Sequence, residues 1–216
     1  MKNSLKNEKI KHIWFDFSYT LASVNEEAHN RLRYESYAKV ADKPITPELV
    51  DEYEKLYKKY KHSNSSVFES LGKLPGFWSK IIDTVNPRTL YYLTDENIPE
   101  ILEQMSKILP VSIFSNIDLD KTLPSLGIKP EWFTHILSAS KLGSLKPALD
   151  GFYKVIELSN LRPEEILYIG DEVEKDIIPA KTVGIKTGVV FEKLKEADYS
   201  FKDFRDILEF VKSRNI

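Results

Sequence analysis

Three short apolar runs, each stopping at polar residues, constrain this chain more than any other feature. Residues 12–15 end at Asp16, residues 111–114 at Ser115-Asn116, and residues 166–169 at Gly170-Asp171. A short apolar run bounded by polar residues fits a strand buried on both faces of a parallel sheet. Helical patterns separate such runs: residues 98–109, 119–126 (closed by Gly127), 150–159, 177–183 (closed by Gly184) and 204–212. Two further strands are expected at 135–137 and 186–191. This alternation argues for an α/β fold, a parallel sheet with helices on both faces. Ligands bind such sheets at the C-terminal edge of the strands. Asp16, Ser115 and Asp171 each fall just beyond a strand end, so two acids and a hydroxyl are delivered to one edge.

Between residues 22 and 93 the texture changes. Residues 26–40 and 47–60 carry apolar positions at helical spacing, with Leu49, Val50, Tyr53, Leu56, Tyr57 and Tyr60 on one stripe of the second. Thr46 is placed to cap that helix and Pro47 to open it. A third helix is expected over 74–85, and no strand, so the region reads as an all-helical insertion.

Composition closes several alternatives. The chain has 216 residues, 42% hydrophobic and 30% charged, as expected of a soluble core with one insertion. A net charge of −2 gives no electrostatic reason to expect nucleic-acid or membrane binding, and the basic run 55–61 reads as a solvated helix face. There is no cysteine, which excludes disulfides, thiol nucleophiles and Cys metal sites. The first twelve residues hold no apolar stretch of signal-peptide length, and no window suits a membrane span, so a cytoplasmic location is the expectation.

Each polar group at the sheet edge has a chemistry. The Asp16 carboxylate can attack an electrophile or bind a hard cation. Thr20 can donate to Asp16 or to a transferred group. Ser115 and Asn116 can donate to an anionic oxygen. Lys146, followed by Pro147, supplies a point charge that can offset a carboxylate and a phosphate. Asp171 faces the same edge as Asp16, which makes an oxygen site suited to Mg²⁺, with Asp176 as a second ligand or an orienting partner. Gly170 is read as the residue that lets the backbone turn sharply there. Glu172 and Glu174 read as exposed helix-start charges.

Taken in order, Phe15-Asp16-Phe17-Ser18-Tyr19-Thr20-Leu21, Phe114-Ser115-Asn116, Leu145-Lys146-Pro147 and Ile169-Gly170-Asp171 through Asp176 resemble the motifs of the haloacid-dehalogenase-like superfamily. The resemblance is to members with a helical cap inserted after the first motif. It implies a Rossmann-like core of residues 1–21 and 94–216 and a cap of residues 22–93 that closes over the site. It further implies that Asp16 is the nucleophile and that Ser115 and Lys146 hold the transferred group. Mg²⁺ would be bound by Asp16, Asp171 and the backbone carbonyl of Ser18, with Asp176 in the same acidic patch. The partner so implied is a small phosphorylated molecule; oligomeric state is not legible.

The chain departs from that pattern beside the nucleophile. Family phosphatases carry a second aspartate two residues on, followed by glycine, where this chain has Ser18 and Tyr19. A serine hydroxyl cannot replace that acid–base group, whose help is worth roughly 10²–10⁴-fold. The leading reading is a Mg²⁺-dependent phosphatase or phosphotransferase. The alternatives are a dehalogenase- or phosphonatase-like hydrolase, the latter needing a cap lysine such as Lys55, Lys58 or Lys59, and a non-catalytic relative that binds a ligand or a protein.

Overall fold

The computed structural model describes residues 9–214. From the N-terminal side, β1 (His12–Phe15) leads into β2 (Ala22–Val24), a set of helices, and β3 (Tyr91–Leu93). Beyond them come β4 (Val111–Ser115), β5 (His135–Ser138), β6 (Ile166–Ile169), β7 (Lys186–Val190) and β8 (Tyr199–Phe201). Six of these form one sheet in the order β5-β4-β1-β6-β7-β8, and every neighbouring pair is parallel. The expected α/β architecture is therefore present. β1 lies between β4 and β6, so the strand order reverses at β1 and a crevice opens beyond its C-terminal end.

Successive side chains along a strand point to opposite faces, and this sorts the core into two. Ile13, Phe15, Ile113, Leu167 and Ile169 face one cluster, which runs on into the helical insertion through Tyr53, Phe68 and Trp78. Trp14, Phe114, Ile166 and Tyr168 face the other, packed beneath the helix Leu149–Ser159 by Phe152 and Val155. A side-chain carbon on Gly151 of that helix would lie 2.0 Å from Phe114 Cζ, so glycine is what lets the helix sit this close to the sheet.

The insertion holds α1 (Glu26–Ala41), α2 (Pro47–Lys59), α3 (Asn64–Ser70), α4 (Phe77–Ile82) and α5 (Pro87–Leu90). Asn25, Thr46, Ser63 and Asn86 each accept a backbone N–H at a helix start, which settles where four of them begin. α3 escapes the sequence pattern because it is short and opens on Asn-Ser-Ser. The helix expected over 74–85 shrinks to α4, since Gly76 at φ 87° breaks the chain before it and Leu74 is exposed. The insertion is not all-helical: β2 and β3 pair antiparallel, Ala22 opposite Leu93 and Val24 opposite Tyr91. The chain thus leaves and rejoins the sheet side by side through a two-stranded ribbon. Strands of three residues carry too few positions for an alternating pattern to register, and β8 was missed for the same reason.

After the insertion, α6 (Ile98–Ser106) packs its buried stripe, Ile98, Ile101, Leu102 and Met105, on the larger core. The helix expected over 119–126 is confined to Thr122–Ser125. The one expected from 177 is preceded by a widened turn, Val173–Ile177, in which Ile177 N donates to Glu172 O at 3.2 Å. Among the described residues no helix is long and apolar enough to cross a membrane.

Candidate active site

Asp16 follows β1 directly, and its backbone N–H continues the ladder by donating to Ile169 O at 2.8 Å. Ser115 closes β4 and Asp171 lies two residues past β6, so the three parallel strands bring these groups to one edge. Lys146 reaches the same place from a loop. Its Nζ donates to Asp16 Oδ1 at 2.7 Å, to Asp176 Oδ1 at 2.6 Å and to the Tyr168 hydroxyl at 2.9 Å. Asn116 holds that loop: its Oδ1 accepts from Lys146 N at 2.7 Å and its Nδ2 donates to Lys146 O at 3.3 Å. Asn116, read from the sequence as a donor to an anion, also positions Lys146 through these two bonds and lines the cavity. Ser115 Oγ accepts from Ile117 N at 3.3 Å and lines the cavity.

Gly170 is needed for space rather than for an unusual turn. It has no left-handed backbone, but a side-chain carbon there would meet Asp176 Cβ and Cγ at 2.7 Å. The widened turn at 173–177 and this gap together bury Asp176, which is 1% exposed. Its carboxylate is filled by Lys146 and Tyr168 at Oδ1, and by the N–H of Glu172 at Oδ2, 3.2 Å away. Tyr168 was not singled out in the sequence. Its signal is a hydroxyl inside an otherwise apolar run, which a buried strand tolerates only with a partner.

The electrostatics follow from burial. Asp16 is pushed up to about 6 by desolvation, which Lys146 opposes and the Asp176 charge reinforces. Asp171 is pushed up to about 9 by burial and by the charges of Asp176 and Asp16. Burial pulls Lys146 down, but the Asp16 and Asp176 carboxylates outweigh it and leave the amine above the ordinary lysine range. Asp16, Asp171 and Asp176 each offer an oxygen within 4.8 Å of the others. Such a set of hard donors suits Mg²⁺ or a similar cation. The raised Asp171 has the character of a carboxylate short of counter-charge.

The loop after β1 is a tight turn in which Leu21 N and Ala22 N both donate to Phe17 O, at 2.9 and 3.0 Å. Tyr19 sits there at φ 58°, a left-handed conformation that glycine adopts at no cost and other residues at roughly 1–2 kcal/mol. Ser18 lines the cavity, half-buried. Thr20 is buried, and its hydroxyl has no hydrogen-bond partner among the described residues, Asp16 included; its carbonyl accepts from Thr94 Oγ1 at 2.6 Å.

A cavity of 450 Å³ lies between the sheet edge and the insertion. Its floor is Asp16, Ser18, Ser115, Asn116, Lys146, Asp171 and Asp176; its roof includes Glu26, His29, Arg33, Tyr57, Asn64 and Trp78. Tyr19 donates to Glu26 across this gap, and Glu174, exposed as expected of a helix-start charge, pairs with Lys61 of the insertion. Glu172, read the same way, is held by Lys175 at 2.6 Å. Lys55, Lys58 and Lys59 are exposed and lie outside the lining.

Two relatives match the chain in part. Both are named glyceraldehyde 3-phosphate phosphatase, from Methanocaldococcus jannaschii and Pyrococcus furiosus. The first is 33% identical over 41% of this chain and 41% of its own length; the second is 34% identical over 35% and 32%. The matched region therefore spans less than half of either relative. Among solved structures, a HAD phosphatase from Thermococcus onnurineus shares the fold with a TM-score of 0.72 at 18% identity, over 95% of this chain and 100% of that one. Residues 13–190 match the family described as haloacid dehalogenase-like hydrolase, a span that takes in every motif at the sheet edge, and the chain belongs to that family.

Proposed function

We propose that this protein is a Mg²⁺-dependent phosphatase or phosphotransferase that works on a small phosphorylated substrate through an aspartyl-phosphate at Asp16. The observation that carries the reading is Lys146 Nζ set 2.7 Å from Asp16 Oδ1, beside a second acid, Asp171, at the switch point of the sheet. The phosphatase names of the two partial relatives point the same way. Residues 22–93 act as a cap over a core of 1–21 and 94–216.

Asp16, held near 6, is mostly ionised at neutral pH, as a nucleophile must be. Its oxygen bonds to phosphorus as the bond to the leaving oxygen breaks. Water then cleaves the acyl phosphate, restoring the carboxylate and releasing phosphate. Lys146 and the Ser115 hydroxyl bind the phosphoryl oxygens and offset the repulsion between two anions. Asp16, Asp171 and the Ser18 carbonyl would hold the cation, which supplies Lewis-acid stabilisation of the phosphoryl charge. Asp176, its oxygens already engaged, orients Lys146 and the loop at Glu172 rather than ligating directly. Ser18 gives no proton to the leaving group, so esters with good leaving groups react best.

Neither hydrolase alternative finds support in the cavity. The three cap lysines that could form a Schiff base are exposed and outside it. The acid at Asp171 is a group that dehalogenases typically lack. The deciding experiment compares phosphate release from an aryl phosphate, with and without Mg²⁺, with halide release from a 2-haloacid. Mg²⁺-dependent phosphate release, lost in Asp16→Asn, is the expected result. Halide release without phosphate release would replace the reading, and activity on neither would leave a binding protein.

A further inference from the structure

The roof of the cavity holds two polar side chains without full partners. His29 and Arg33 are four residues apart on α1, hence neighbours on one helical face, and each is 5% exposed. His29 Nε2 and Arg33 Nε have no hydrogen-bond partner among the described residues. A buried donor or acceptor left unpaired costs about 1–3 kcal/mol, so two on adjacent turns need a reason. Both line the cavity above Asp16.

The guanidinium is fixed in place. Arg33 Nη2 donates to Glu54 Oε1 at 2.8 Å, and the plane lies 4.3 Å from the centroid of the Tyr57 ring. His29 packs edge-on to Tyr91, ring centroids 5.0 Å apart, with Trp78 beyond. Burial and Arg33 push its imidazole down to about 4, so it is neutral near pH 7.

Charge decides what this end of the cavity accepts. Glu54 already balances Arg33, His29 is uncharged and Glu26 beside them is acidic, so the roof has no positive charge to spare. A carboxylate or a second phosphate placed there would be a buried anion without a counter-ion, which is costly. Hydroxyl or carbonyl oxygens can pair with these nitrogens at no charge cost. The aromatic walls suit the carbons between that oxygen and the phosphate, and 450 Å³ is near the small end for ligand pockets.

We propose that His29 and Arg33 form the subsite for the leaving-group end of the substrate, and that it takes a neutral hydroxyl or carbonyl on a short carbon chain. The proposal rests on the phosphatase reading only in placing the phosphate at Lys146. It names a class, short phosphomonoesters of polyols or hydroxy-carbonyl compounds, over carboxylated or purely apolar esters.

Binding tests it apart from turnover. In Asp16→Asn protein with Mg²⁺, calorimetry compares glycerol 1-phosphate, ethyl phosphate and phosphoglycolate. Glycerol 1-phosphate should bind about tenfold tighter than either of the others, one hydrogen-bonded pair's worth of affinity. The preference should vanish when His29→Phe is added, which keeps the aromatic box and the Arg33–Glu54 pair and so spares the fold. Equal affinity for glycerol 1-phosphate and ethyl phosphate, tighter binding of phosphoglycolate, or a preference that survives His29→Phe would each overturn the subsite. Wild-type protein that shows the preference but releases no phosphate from any ester would sink the phosphatase reading and leave the subsite standing.

Discussion

Tyr19 donates a hydrogen bond to Glu26, and so the turn that follows the Asp16 strand is tied to the first helix of the insertion. The donor stands in left-handed backbone at φ 58°, one residue after Ser18. Tyr19 also lines the cavity and narrows it beside Asp16. The two departures from the family pattern are therefore adjacent: on the proposed function Ser18 leaves the acid–base group out, and Tyr19 beside it reaches to the insertion.

The paired substitution Ser18→Asp with Tyr19→Gly should raise turnover of alkyl phosphates about tenfold or more, the low side of the general acid–base range. Glycine also relieves the left-handed strain, so the double variant should not lose stability from the backbone. On the proposed mechanism, hydrolysis of the wild-type acyl phosphate lacks its base, and a burst of leaving group should precede steady release. Stopped-flow with an aryl phosphate reads the burst. A double variant that gains nothing on any accepted ester would mean that another group supplies the proton.

Removing the buried amine should be expensive. Lys146 is 3% exposed and stands between Asp16 and Asp176. Lys146→Ala leaves two buried carboxylates facing one another and should cost about 3–5 kcal/mol, the usual penalty for breaking a buried ion pair. Adding Asp176→Asn should restore part of that loss, because one uncompensated charge disappears. Urea unfolding of the two variants checks this; a double variant less stable than the single would show that the pair is not the source.

Asp171 sets a pH dependence whose sign follows from linkage. Its carboxyl is raised from 3.8 to about 9 in the metal-free fold. Between those values the folded chain holds a proton that the unfolded chain has released, so raising the pH lowers metal-free stability across that window. His12 and His29, both lowered from 6.5 to about 4, act oppositely at the acid end, where stability is lost as pH falls through that range. The clean observable is the difference between wild type and Asp171→Asn, whose melting temperatures should converge as pH falls from 9 to 4. On the proposed function Mg²⁺ displaces the same proton, so affinity should rise with pH from 6 to 9, by up to about tenfold per unit. Calorimetry in buffers of different ionisation heat should show proton release; pH-independent affinity would refute it.

Gly151→Ala should destabilise by about 1–3 kcal/mol through overpacking, since the new carbon would fall 2.0 Å from Phe114 Cζ. The Phe114 ring is held edge-on by Phe152 and Tyr168 and has little room to turn. Adding Phe114→Leu should recover much of the loss, and a thermal melt of the pair decides.

The sequence alone determined what local pattern can determine. Buried parallel strands are apolar throughout and end abruptly, so the strands before Asp16, Ser115 and Asp171, and the edge they share, were legible from composition along a few residues. Thr46 and Pro47 announced α2 because a cap is a contact between near neighbours. What tertiary structure decided involves groups far apart in the chain. That Asn116 clamps Lys146, 30 residues away, was not legible, because hydrogen-bond partners of that separation carry no sequence period. Gly170 exists for the bulk of Asp176, and Tyr168 for the charges beside it, which only packing reveals. The ribbon of β2 and β3 joins segments about seventy residues apart, each too short to show alternation. Nothing in the sequence singles out Arg33; Glu54, Tyr57 and the cavity fold around it, and burial is a property of the whole chain and not of any stretch of it.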